Sequence, residues 1–266
     1  MALPHSTVLF IAVLFIFTPN LFKQLKVMTQ KRILAFSSSR VGGGGYLEAV
    51  APVVKDFLGD KKLRIAFVPF ASVSNDSQAY AGMVSKGLNN EAYSIEIVGS
   101  ENAKEVVDRA DVIMVGGGNT FKLLHDIYHL KLLDLIRDKV SGGTPYIGWS
   151  AGSNILGPSI GTTNDMPIIE PKSFNALGLL PFQINPHYNN EQPADHHGET
   201  RDQRLEEFLH LNAGLPIVAL PEGTVLQMQG KKLQFSGSKS GILFTSENEQ
   251  IKREEIAPGS DLSFLL

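Results

Sequence analysis

Ser150 stands at the centre of Gly148-Trp149-Ser150-Ala151-Gly152, a G-x-S-x-G spacing. Such an elbow carries a nucleophile on a sharp strand-to-helix turn, with small neighbours that let chain and substrate approach closely. The chemistry this suits is attack of a hydroxyl on a carbonyl, with a covalent acyl intermediate. A second motif is Val115-Gly116-Gly117-Gly118-Asn119-Thr120, again between a predicted strand and a predicted helix. Glycines there let backbone N–H groups face a cavity, and the helix N-terminus favours negative charge. In acyl transfer the loop would supply one donor to the oxyanion, and the N–H of Ala151 the other.

A serine nucleophile needs a base, and seven histidines are available. His125, His129 and His210 fall on predicted helices, and His5 lies in an N-terminal stretch of uncertain use. His196-His197 sits in a polar loop, where it could bind a metal or line the site mouth. His187, in Asn185-Pro186-His187-Tyr188, directly follows a predicted strand and is the preferred base. The third member should be a carboxylate that orients the imidazole. Glu222 follows the predicted strand Pro216–Leu220 and is preferred. Asp165 is the alternative acid: it gives the Ser–acid–His order of the α/β-hydrolases, but without the helix and strand those enzymes place in that interval.

The elements that must position these groups read as an α/β chain. Strands are expected at Arg32–Phe36, Arg64–Pro69, Ser94–Val98, Asp111–Val115, Pro145–Gly148, Phe182–Asn185 and Pro216–Leu220. Helices are expected at Tyr46–Leu58, Gln78–Leu88, Thr120–Val140 (broken near His129), Ser153–Leu156 and Glu199–Ala213. Val225–Gln229 and Lys232–Phe235 read as a C-terminal β-hairpin. Continuous β-branched runs such as Ile65–Val68 and Val112–Val115 indicate strands buried on both faces. The alternation predicts a mostly parallel sheet with helices on both faces. Ser150, the Gly118 loop, His187 and Glu222 would all meet at the carboxyl edge of that one sheet, where α/β proteins bind ligands.

Composition narrows the classes. Of the 266 residues 43% are hydrophobic and 19% charged, and the net charge is −3, with Lys and Arg scattered. That excludes a disordered chain and gives no electrostatic footprint for nucleic acid. Cysteine is absent, which excludes disulfides, Cys-based zinc sites and a thiol nucleophile. Val8–Phe17 is an apolar run of ten, too short for a bilayer span but of signal-peptide length. No Lys or Arg precedes it and no small-x-small cleavage site follows closely. Residues 1–27 are therefore read as an unused apolar extension ahead of Met28, with a signal peptide as the alternative. Residues 28–266 are read as one domain, in the cytoplasm, or secreted if the alternative holds. The loop Val41-Gly42-Gly43-Gly44-Gly45 fits neither G-x-G-x-x-G nor a P-loop. It is read as a tight turn near the sheet edge, which leaves a non-catalytic nucleotide-binding protein as a minor alternative.

The order Ser150, His187, Glu222, taken with Gly116-Gly117-Gly118-Asn119, Gly148 to Asn154 and Asn185-Pro186-His187-Tyr188, resembles the peptidase E (α-aspartyl dipeptidase) and cyanophycinase group of serine peptidases. The likeness runs from about residue 31 to 245. It implies a class I glutamine amidotransferase-like, flavodoxin-like fold, with Ser where those enzymes have Cys. It also implies hydrolysis of dipeptides with an N-terminal aspartate, without metal or cofactor. On this chain the resemblance puts the nucleophile on Ser150, the base on His187, the acid on Glu222 and the oxyanion donors on the Gly118 and Ala151 N–H groups. His197-Gly198-Glu199-Thr200-Arg201 resembles the group's substrate-recognition stretch. Arg201 would engage the aspartyl carboxylate with its guanidinium fork, with Asn119 as a second substrate contact. The expected partners are small peptides, with neither nucleic acid nor a stable membrane span, and a homodimer is left open. Within this chemistry a cyanophycinase-like peptidase and a small-molecule esterase using Asp165 or a later acid are the alternatives.

Overall fold

A computed structural model describes residues 30–74, 76–192, 197–248 and 250–266; the N-terminal extension lies outside the described residues. The first half alternates strand and helix as β1 Arg32–Phe36, α1 Ala51–Leu58, β2 Leu63–Val68, α2 Ser77–Leu88, β3 Tyr93–Ile97, α3 Ala103–Arg109 and β4 Val112–Val115. α4 Thr120–His129, α5 Leu133–Ser141, β5 Tyr146–Trp149 and α6 Ala151–Asn154 follow. The second half holds β6 Gln183–Pro186, α7 Arg201–Leu211, β7 Ile217–Leu220, β8 Thr224–Gln229, β9 Lys232–Gly237, β10 Gly241–Glu247 and β11 Gln250–Ile256.

Seven strands form the main sheet in the order β3-β2-β4-β5-β1-β8-β9. Its first five are parallel, and the hairpin β8–β9 adds to β1 antiparallel. Strand alternation divides the core by face. Leu34, Phe36, Ile65, Phe67, Met114 and Trp149 pack on one side with Val54 and Phe57 of α1 and Tyr80 and Val84 of α2. Ile33, Ala35, Val68, Ile113 and Val115 point to the other side, against α3, α4 and α5. Helices thus cover both faces, as two-sided burial of the parallel strands requires.

The expectation of a single sheet is corrected. β6 and β7 belong to a second, four-stranded sheet of order β11-β10-β7-β6. Only β6 and β7 in it are parallel to each other; β10 and β11 run antiparallel. One face of this sheet, through Ile184, Val218, Leu220 and Leu243, joins the main core. The other, through Ile217, Ala219 and Phe244, packs on Leu205 and Leu209 of α7.

Two further corrections are local. The helix expected from Tyr46 begins at Ala51, because Leu47 adopts a left-handed φ of 58° and residues 46–50 form turns. The face expected for that segment is still buried, from Leu47 to Leu58. The Gly42–Gly45 loop follows the carboxyl end of β1, which is a central strand between β5 and β8 and not an outer one. Among the described residues no helix is long and apolar enough to cross a membrane.

Candidate active site

The elbow at Ser150 is built from close backbone approaches. Ser150 has φ 53° and ψ −116°, a strained pair for a non-glycine residue. Its N–H donates to Phe36 O at the end of β1 (3.2 Å), and its carbonyl accepts from Ser153 and Asn154 N–H as α6 starts. A Cβ on Gly148 would stand 2.4 Å from Gly152 O, and one on Gly152 would stand 2.3 Å from Val115 O. Both glycines are therefore dictated by sterics. Ser153, fully buried, has its Oγ 2.7 Å from Phe36 O and 3.0 Å from Gly148 O, and so locks the turn to both strands. Trp149 stacks on Phe67 with ring centroids 6.2 Å apart, which fixes the residue before the serine.

The glycine loop after β4 lies directly against this turn. A Cβ on Gly117 would meet Ser150 Cβ at 2.9 Å, and one on Gly118 would meet Ala71 O at 2.2 Å. Gly118 takes φ 137°, a conformation that favours glycine. Neither its N–H nor that of Ala151, first in α6, has a partner among the described residues. Two free donors beside the serine are the arrangement an oxyanion requires. Tyr80 donates from its hydroxyl to Gly117 O (3.0 Å) and braces the loop from outside. Burial raises the Tyr80 phenol above its usual range.

His187 and Glu222 come from the second sheet, at the ends of β6 and β7. His187 Nδ1 lies 2.9 Å from Glu222 Oε1. Both are partly open to solvent, with side chains 41% and 50% exposed. His187 also takes a positive φ of 54°, and its N–H donates to Ser37 Oγ (2.9 Å). Ser37, fully buried at the end of β1, donates in turn to Leu220 O at the end of β7 (2.7 Å). This hydroxyl joins the two sheets beneath the site, and it was not among the expected site residues. The signal for it is Ser37-Ser38-Ser39, a polar run directly after a buried strand at the right sheet edge.

Ser150, His187, Gly117, Gly118, Asn119 and Asp165 line one cavity of about 620 Å³. Tyr46, Val73, Asp76, Tyr80 and Met83 form much of its remaining wall. His187 and Glu222 also border a neighbouring cavity of about 490 Å³ that holds Lys239. The Ser150 hydroxyl and the His187 imidazole share the first cavity without being hydrogen-bonded to each other. Such contacts often tighten only when substrate binds.

Asp165 is engaged elsewhere than with His187. Its Oδ2 accepts from Thr120 N–H (2.7 Å) and Thr120 Oγ1 (2.5 Å), at the start of α4. Asn119 also uses its side chain within the protein: Oδ1 caps α4 by accepting from Lys122 N–H, and Nδ2 donates to Met166 O. Arg201, first residue of α7 behind the Thr200 cap, lines a separate groove with Asn189, Glu191 and Arg204 rather than the Ser150 cavity. Its Nη1 donates to Asn164 Oδ1, next in the chain to Asp165. Its Nε is buried with no partner among the described residues, and burial, then the charge of Arg204, lowers its pKa. Glu199 pairs with Arg204 and Glu206 with Arg253, so neither neutralises Arg201. A desolvated guanidinium with an unused donor is suited to an incoming carboxylate.

Residues 33–236 match the description "Peptidase family S51". The chain belongs to that family. This S51 peptidase is 47% identical over 237 residues to Peptidase E of Nostoc sp. strain PCC 7120, covering 89% of this chain and 97% of that one. It is 50% identical over 236 residues to Peptidase E of Shewanella denitrificans, covering 88% and 98%. Among solved structures, a peptidase from an acI-B1 Actinobacterium superposes with TM-score 0.65 at 18% identity, over 89% of this chain and 98% of that one. That likeness concerns the fold. The architecture of the S51 peptidase is compatible with the class I glutamine amidotransferase-like arrangement that its motifs resemble.

Proposed function

We propose that this S51 peptidase is a serine dipeptidase that hydrolyses dipeptides with an N-terminal aspartate through an acyl-enzyme on Ser150. The observation that supports this reading most is the His187–Glu222 hydrogen bond on the wall of the cavity that holds Ser150 and two unpartnered N–H donors. His187 takes the Ser150 proton as Oγ attacks the aspartyl carbonyl, and Glu222 orients the imidazole and stabilises its charged form. The Gly118 and Ala151 N–H groups hold the oxyanion. His187 then protonates the leaving amine, and water activated by the same imidazole releases aspartate. Arg201 supplies the cation for the aspartyl carboxylate, which its unpartnered Nε favours. The reading places the enzyme in the cytoplasm.

The test is hydrolysis of Asp-Leu by the wild type and Ser150→Ala. Turnover should disappear while the thermal melt is preserved; unchanged turnover would remove Ser150 from the mechanism. Arg201→Ala should depress Asp-Leu cleavage far more than cleavage of Asn-Leu. Equal losses on the two would show that Arg201 serves the fold and not the substrate.

A further inference from the structure

An aspartyl dipeptide carries a positive charge on the carbon next to the scissile carbonyl. If the Gly118 N–H holds the oxyanion, the α-ammonium lies only a few bonds from that donor. The described lining of the Ser150 cavity contains no Lys or Arg and two carboxylates, Asp76 and Asp165. Asp76 is exposed and caps α2, its Oδ1 accepting from Ala79 N–H. Asp165 is half-buried and bonded to Thr120, two residues beyond Gly118, so it is fixed to the turn that carries the oxyanion donor. Those bonds engage Oδ2 alone, and Oδ1 has no partner among the described residues. Asn164, next to it, receives the Arg201 guanidinium. A negative and a positive group thus stand behind adjacent residues, as an aspartyl residue carries opposite charges on adjacent carbons.

We infer that Asp165 anchors the free α-ammonium of the substrate and thereby restricts cleavage to an aspartate that is the first residue of its peptide. The inference rests on the reading of Ser150 as the acyl-enzyme nucleophile. It gives Asp165 a part in selection rather than in the relay, since His187 Nδ1 is already paired with Glu222. A chain-internal aspartyl bond lacks the ammonium and would cover Asp165 Oδ1 without giving it a partner, while Oδ2 keeps its bonds to Thr120 and Thr163. Covering an acceptor without a partner is costly. Cleavage within a polymer is disfavoured on the same ground.

The experiment compares kcat/KM for Asp-Leu and for succinyl-leucine, which keeps both carboxylates and lacks only the ammonium. Wild type should prefer Asp-Leu by roughly 100-fold, the scale of a charge-assisted hydrogen bond in a desolvated site. Asp165→Asn, which keeps an acceptor for Thr120, should compress that ratio by roughly 10- to 100-fold, while Asp76→Asn should change it by less than about threefold. A ratio taken on one preparation does not depend on how much of it is folded. Equal losses on both substrates in Asp165→Asn would overturn the inference, and so would compression in Asp76→Asn instead. Wild type that cleaves both substrates equally would also refute it. A failure of the underlying reading is separate: wild type would then turn over neither substrate, and a fluorophosphonate would not label Ser150.

Discussion

At Ser150 the backbone leaves no room to vary, whereas His187 and Glu222 stand in half-open space at the ends of another sheet. The elbow is held by atoms in contact: Gly148 against Gly152, Gly152 against Val115, and Gly117 against Ser150. The base and acid are held by hydrogen bonds, from His187 N–H to Ser37 Oγ and between the His187 imidazole and Glu222. Steric placement is stiff and fails abruptly, because a packed interior cannot deform by an ångström without cost. Placement by hydrogen bonds is graded, since water or a neighbouring acceptor can replace part of each bond. The nucleophile should therefore be the brittle half of the site and the base–acid pair the tolerant half.

The sharpest way to break this contrast is Gly152→Ala. Its methyl would stand 2.3 Å from a backbone carbonyl that has no rotamer to escape into. A loss of about 3 kcal/mol is expected, which for a domain of this size lowers Tm by roughly 6–12 °C. Asp-Leu turnover should fall at least ~100-fold, because a 1 Å displacement of a reacting group costs that much. A variant with wild-type melting and turnover would show that the elbow is softer than its contacts indicate. Next in size is Glu222→Gln on the tolerant side. An Asp-to-Asn change in a buried triad lowers kcat by about 10⁴. Glu222 is half exposed, so water can take over part of the orienting role, and a loss nearer ~100-fold in kcat is expected. Thermal melting should move little, as for other exposed substitutions. A full 10⁴-fold loss would mean that the pair closes off from solvent when substrate binds.

The same contrast explains what could be read without coordinates. The elbow and the glycine loop were legible because sterics write themselves into composition: only glycine fits where chains meet. The main sheet was legible because strands buried on both faces become continuous apolar runs, such as Val112–Val115. The second sheet was not. Phe182–Asn185 and Pro216–Leu220 read as strands, but an apolar run carries no mark of which sheet it joins. β11 was missed because it is an exposed strand rich in charge, Gln-Ile-Lys-Arg-Glu-Glu-Ile, without an apolar alternation and suited to blunting an edge. α3 was missed because it has seven residues, with Ala103, Val106 and Val107 as its whole buried face. The position of Arg201 outside the Ser150 cavity was equally hidden. Its residue type announced an anion partner, and only the fold could say that its guanidinium meets Asn164, next in the chain to a residue that lines the Ser150 cavity.

Ser37 is where the stiff and tolerant halves meet, so its removal sharpens the comparison with the smallest change. Ser37→Ala strips the acceptor from His187 N–H and the donor from Leu220 O, both at the joint between the sheets. Leu220 O keeps the Tyr188 N–H, so the cost is that of the unpaired His187 N–H, about 1–3 kcal/mol. The elbow does not lean on the Ser37 side chain, since Ser150 and Ser153 bond to the carbonyl of Phe36. Labelling of Ser150 by a small fluorophosphonate should thus remain measurable, although it slows with the loss of an aligned base. Asp-Leu turnover should fall about tenfold in kcat with KM nearly unchanged, because the base is misplaced and substrate contacts are kept. Lower stability with an unchanged kcat would mean that Ser37 only joins the sheets. In that case the position of His187 would be fixed by its own strained backbone and by Tyr188, whose N–H donates to Leu220 O at 2.9 Å.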